Sequence, residues 1–135
     1  IVSHFGHDLS GKVFAVWGLS FKPNTDDMRD APSIVLIEAL LDAGAKVQAY
    51  DPVAMKEAKH SLAYRILYTE DPISAVKDAD ALLLVTEWNE FKLPDWKHVK
   101  ENMAQHILFD GRNIYNAKDM AEKGFTYYCI GIKTN

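Results

Sequence analysis

Lys12-Val13-Phe14-Ala15-Val16-Trp17, then Gly18-Leu19-Ser20-Phe21-Lys22-Pro23-Asn24-Thr25-Asp26-Asp27-Met28-Arg29-Asp30, is the stretch that decides the fold. After its lysine the first part is an apolar run, the signature of a strand buried on both faces of a parallel sheet. Behind the loop come Ala31-Pro32-Ser33 and a dense apolar segment that predicts a helix over 34–43. Pro32 suits the first helical turn, where a missing N–H is harmless, and Asp30 or Ser33 can cap the free amides. Gly44 stands where a left-handed residue ends a helix. The connection takes about a dozen residues where such loops usually take about 2–6. With Lys22, Arg29, a proline and three aspartates, it points to chemistry or recognition. In open α/β sheets ligands sit beyond the carboxyl ends of the strands, where this loop must lie.

Outward from there the pattern repeats. Residues 46–50 read as a second strand, stopped by Asp51-Pro52, and 53–61 as a helix with a polar face. A third strand is predicted over 64–68 and a weaker helix over 73–78. Residues 81–85 are the clearest buried strand, ending at Thr86-Glu87-Trp88, with a second long connection through Asn89, Glu90, Phe91, Lys92 and Pro94. A helix over 95–103 leads to a strand over 107–109 and the loop Asp110-Gly111-Arg112-Asn113. A short helix over 117–123, Gly124 and a last strand over 125–130 follow. Strand–helix alternation of this kind predicts an α/β fold, a three-layer α/β/α Rossmann-like parallel sheet in a single domain. In that topology the loops after the first, fourth and fifth strands meet at one edge. They carry Lys22, Arg29, Glu87 and Arg112, parts of a site for an anionic ligand.

A chain of 135 residues is one domain's worth, and 48% apolar with 25% charged residues is an ordinary globular balance. The net charge of −4 gives no reason to expect nucleic acid or an anionic membrane as partner. An anion must therefore be held by a local cationic cluster. A single cysteine, Cys129, excludes an internal disulfide and fits a reducing compartment, hence the cytoplasm. No apolar run approaches the ~18 residues of a membrane span. Residues 1–10 lack a sustained period and read as a linker or the tail of an upstream helix. The opening Ile1-Val2-Ser3-His4 suggests a piece cut from a longer chain, with apolar docking surface expected near residues 1–5 and Phe91.

Each feature also has a plainer reading. The fingerprint G-x-G-x-x-G is missing, since only Gly18 is present, and so is the P-loop pattern, so no complete NAD site is expected. Lys22 and Arg29 are either ligand contacts or surface charges paired with Asp26, Asp27 and Asp30, exposed pairs being nearly neutral in energy. Arg112 after Gly111 either forks onto ligand oxygens or is a solvated residue in a glycine turn. Trp88 can serve simply as a packed anchor. His4, His7, His60, His98 and His106 share no metal-ligand spacing. Cys129 lies in an apolar strand, where a thiol is inert packing.

The run from Gly18 to Ser33 resembles the signature opening the C-terminal domain of the UDP-glucose 6-dehydrogenase family. The resemblance continues through Ala43-Gly44-Ala45, Tyr50-Asp51-Pro52, Thr86-Glu87-Trp88, Asp110-Gly111-Arg112-Asn113, Gly124-Phe125 and Gly131. It implies an oxidoreductase that converts UDP-glucose to UDP-glucuronate in two steps with NAD, a polysaccharide precursor. It also implies an N-terminal NAD-binding domain, a central dimerisation region and a homo-oligomeric parent. Residues 11–135 would then be the UDP-sugar-binding domain, its partners UDP-glucose and the other domains of the same chain. The catalytic cysteine belongs to a segment outside this sequence, and Cys129 does not match its motif, so this stretch alone should be inactive. By motif, Phe21 and Lys22 resemble the pair that contacts the UDP-sugar, Arg112 the arginine that reaches substrate, and Arg29 the arginine that touches NAD. Dehydrogenases of GDP-mannose or UDP-N-acetylmannosamine share part of the pattern, and a non-catalytic nucleotide-binding module remains a second class.

Overall fold

In a computed structural model, the residues described are 8–19, 32–52, 55, 66–86, 91, 94–112 and 114–129. The elements run β1 (Val13–Trp17), α1 (Pro32–Asp42), β2 (Lys46–Tyr50), β3 (Leu67–Tyr68), α2 (Pro72–Val76), β4 (Ala81–Leu84), α3 (Trp96–Asn102), β5 (Ile107–Asp110), α4 (Ala117–Glu122) and β6 (Thr126–Cys129). The six strands form one sheet in the order β3-β2-β1-β4-β5-β6, every neighbouring pair parallel. This is the expected Rossmann-like architecture.

Alternation along β1 divides the core in two. Phe14 and Val16 pack on one face with Ile37 and Leu40 of α1. Ala15 and Trp17 pack on the other with Val76 of α2, Val99 of α3 and Met120 of α4. Both faces are covered, so β1 and β4 carry apolar side chains at nearly every position, which is why they read as continuous runs. Leu9 belongs to the first of these clusters and donates its N–H to the Ala43 carbonyl at 2.9 Å. Packing therefore reaches back into the segment read as a linker.

Several boundaries shift for local reasons. Helix α1 begins at Pro32, which leaves Ser33 inside the first turn instead of ahead of it. Gly44 ends it at φ +98°, with Ala45 N–H returning to the Leu40 carbonyl at 3.0 Å. Strand β4 stops at Leu84, one residue early, because the Val85 carbonyl accepts from the side chain of Arg112. Strand β5 runs one residue longer, since Asp110 still pairs with Leu84 and Cys129. The helix expected over 53–61 lies outside the described residues except for Met55, which is helical.

Phe91 is corrected outright. Expected on a docking surface, it is fully buried. Its ring stacks on Trp17 at 5.1 Å and 13° and meets Tyr50 edge-on at 6.0 Å. An aromatic this large gains more by filling the layer above Trp17 than by waiting at the surface.

Candidate ligand-binding site

The chain after β1 crosses on the face of α1, and the chain after β4 crosses on the face of α3, so a crevice opens between β1 and β4 at their carboxyl ends. Three strand ends meet there: Gly18-Leu19, Val85-Thr86 and Gly111-Arg112.

At the first, Gly18 takes φ +94° and donates to the Tyr50 carbonyl at 2.8 Å. Leu19 N–H donates to Oδ2 of Asp51 at 2.7 Å. Asp51 is fully buried at the end of β2, where its carboxylate steers the start of the long loop. At the second, Val85 N–H donates to the Trp17 carbonyl at 3.0 Å, which ties the end of β4 to the end of β1.

At the third, Gly111 N–H donates to the Leu84 carbonyl at 2.9 Å. A Cβ on Gly111 would lie 2.8 Å from that same oxygen, so β5 passes β4 too closely for a side chain. Arg112, half-buried, then reaches back over β4, its Nε donating to the Val85 carbonyl at 2.6 Å. The arginine of the last loop is thus drawn toward the β1–β4 crevice.

Beneath it sits Asp110, 2% exposed. Its Oδ1 accepts Arg112 N–H at 2.9 Å, and its Oδ2 accepts Tyr115 N–H at 3.0 Å and the Tyr127 hydroxyl at 2.7 Å. The Tyr115 hydroxyl donates to the Phe91 carbonyl. Burial first, and then the Asp110 charge, push the Tyr115 phenol well above its ordinary range, so it stays a neutral donor. The amides of Arg112 and Tyr115 are taken up by Asp110, and that of Gly111 by the Leu84 carbonyl. The Arg112 side chain is the cationic group this turn brings to the rim among the described residues.

Such an arrangement can hold and orient a ligand. No cluster of three or more His, Cys, Asp or Glu suited to a metal occurs among the described residues. Nor do the residues fit a dinucleotide pyrophosphate. From Leu19 to Ala31 there is no glycine, and Gly18 is bare because Thr86 presses on it. Of the residues singled out in the sequence, Arg112 is placed at the rim. Phe21, Lys22, Arg29, Glu87, Trp88 and Asn113 lie outside the described residues. Sequence reasoning used Asp51 only to stop the second strand and gave no role to Tyr127. A lone acid closing an apolar strand was the available signal for Asp51; for Tyr127, separated by 17 positions from its partner, there was none.

The sequence pattern of the UDP-glucose/GDP-mannose dehydrogenase family, UDP binding domain, matches residues 15–117. The chain belongs to this family. It is 46% identical over 131 residues to UDP-glucose 6-dehydrogenase of Rhizobium meliloti, covering 97% of this chain and 30% of that protein. With UDP-glucose 6-dehydrogenase of Pseudomonas aeruginosa it shares 48% identity over 126 residues, 90% of this chain and 28% of the relative. Among solved structures, a UDP-glucose dehydrogenase from Pyrobaculum islandicum superimposes with a TM-score of 0.76 at 28% identity, covering 94% of this chain and 27% of that one. The chain thus spans under a third of the length of these relatives and corresponds to their C-terminal part. The family's matched stretch contains the end of β1, all of β4 and β5, and Arg112, whereas β6 with Tyr127 lies beyond it.

Proposed function

We propose that this chain is the UDP-sugar-binding domain of an NAD-dependent UDP-glucose 6-dehydrogenase, which oxidises UDP-glucose to UDP-glucuronate in the cytoplasm. The observation that carries the reading is Arg112, held by Val85 above the β1–β4 crevice in a chain of this family. In the proposal Phe21 stacks on the uracil or flanks the sugar, and Lys22 and Arg112 neutralise the diphosphate. A guanidinium forks onto phosphate oxygens and an ammonium supplies a point charge. Arg29 reaches across to NAD, which is bound mainly by another domain of the full-length protein. The chemistry NAD supplies is hydride acceptance; this domain's part is to fix the sugar nucleotide, so the chain alone is inactive. The parent is a homo-oligomer whose remaining domains complete the cleft.

Supporting UDP-glucose over GDP-mannose or UDP-N-acetylmannosamine are the Thr86-Glu87-Trp88 and Asp110-Gly111-Arg112-Asn113 segments and the names of the relatives at 46% and 48% identity. The test is thermal unfolding with UDP, UDP-glucose, GDP-mannose and NAD, where a ligand bound only by the folded state raises Tm with concentration. Uridine nucleotides should raise it and GDP-mannose should not. Equal shifts from all four, or none at millimolar concentration in the full-length protein, would overturn UDP recognition.

A further inference from the structure

Resting on the reading that Arg112 contacts the sugar nucleotide, we infer that Asp110 and Tyr127 are positioning residues for that contact. Three observations converge. Asp110 holds the root of the arginine, accepting its N–H at 2.9 Å, while Val85 holds its middle through Nε at 2.6 Å. A side chain anchored at both points loses little freedom when a ligand arrives, which is how preorganisation raises affinity. Secondly, the Asp110 carboxylate is buried and bound by three donors, one of them the Tyr127 hydroxyl on β6. Hydrogen bonds to a charged acceptor are short and strong, and the one at 2.7 Å sets where the carboxylate sits. Thirdly, the same carboxylate engages Tyr115 N–H, so it closes the turn from 110 to 115 and fixes the exit angle of Arg112. A purely packed strand end would need none of this. An apolar residue facing the second core would cost less than a buried acid requiring three partners.

The chain of influence is Tyr127 to Asp110 to Arg112 to ligand, and it runs from the sheet edge to the crevice. It makes β6, which lies outside the family's matched stretch, a contributor to ligand affinity.

The experiment is a double-mutant cycle in the full-length protein, with UDP-glucose titrated calorimetrically and Tm recorded for each variant. The variants are D110N, Y127F, R112A and each of the first two combined with R112A. Asn at 110 keeps the size but cannot accept from both Arg112 and Tyr115 amides. Phe at 127 removes only the hydroxyl, and serves if D110N does not fold. The expected result is affinity reduced about tenfold by D110N and about threefold by Y127F, each effect vanishing in the R112A background, because a positioning residue acts only through the group it positions. If R112A weakens binding but D110N and Y127F do not, or add to it independently while lowering Tm, their role is structural and the inference is overturned. If R112A leaves UDP-glucose affinity unchanged, the proposed site itself is wrong and the inference goes with it.

Discussion

A Cβ placed on Gly18 would stand 2.5 Å from the Cβ of Thr86 and 2.6 Å from its backbone nitrogen. The ends of β1 and β4 touch there without a side chain between them, at the point where the sheet's winding reverses. Gly18 also holds φ +94°, a conformation L side chains rarely adopt. Gly18→Ala therefore meets both backbone strain and overpacking, and should cost roughly 2–4 kcal/mol in urea unfolding. Adding Thr86→Gly should recover only part, because the backbone nitrogen and the positive φ remain. A loss below about 1 kcal/mol would mean the two strand ends separate easily.

Phe91 gives a second prediction. Its ring lies between Trp17 and Tyr50, and its carbonyl accepts from Tyr115. Phe91→Ala should cost roughly 3–5 kcal/mol, as for other buried aromatics cut to alanine. It should also change tryptophan emission, since Trp17 loses its stacking partner and Trp96 lies 6.2 Å from Trp17. A neutral or more soluble Phe91→Ala would instead place the ring on an exposed docking face.

What the sequence made legible were features repeated along many residues. The strands β1 and β4 announced themselves because both faces are buried, and Gly44 marked the end of α1 through its obligatory backbone conformation. Arg112 could be assigned to the correct rim because strand polarity alone puts every βα loop on one side. What stayed hidden depends on pairs far apart in the chain. Nothing local says that Arg112 Nε meets the Val85 carbonyl, that Phe91 turns inward onto Trp17, or that Tyr127 serves Asp110. Such contacts are settled by the packing of layers, which a one-dimensional period does not encode.

A third prediction concerns acid. Asp71 caps α2, its Oδ1 accepting Ser74 N–H at 2.8 Å and its Oδ2 the Ser74 hydroxyl at 2.9 Å. The bonds from Ser74, the backbone one first, hold its carboxyl below the ordinary aspartate value of 3.8. A folded-state pKa below the unfolded one stabilises above the unfolded value and loses that stabilisation as pH falls through the folded one. Asp71→Ala should thus cost about 1 kcal/mol at neutral pH, the usual worth of an N-cap. The gap between wild type and variant should be flat above about pH 5 and close as the pH drops below the aspartate range. A gap that persists unchanged at pH 2 would show that the carboxylate's charge is irrelevant to the cap.

Tyr115 behaves oppositely, at the alkaline end. Its phenol is raised chiefly by burial and further by the charge of Asp110, so the folded chain keeps it protonated where the unfolded chain does not. For an acid raised on folding, stability is intact below the unfolded pKa near 10 and declines as pH rises beyond it, by up to about 1.4 kcal/mol per unit. Tyr115→Phe leaves the Phe91 carbonyl without this donor and should cost about 0.5–1.5 kcal/mol at pH 7. Lacking the phenol, it should escape the alkaline loss specific to that group. Unfolding free energies of the two proteins should therefore converge between about pH 10 and 11 and then cross. Parallel curves through that range would mean that Tyr115 ionises as readily in the fold as in the open chain, and that the hydroxyl is not held away from water at the Phe91 carbonyl.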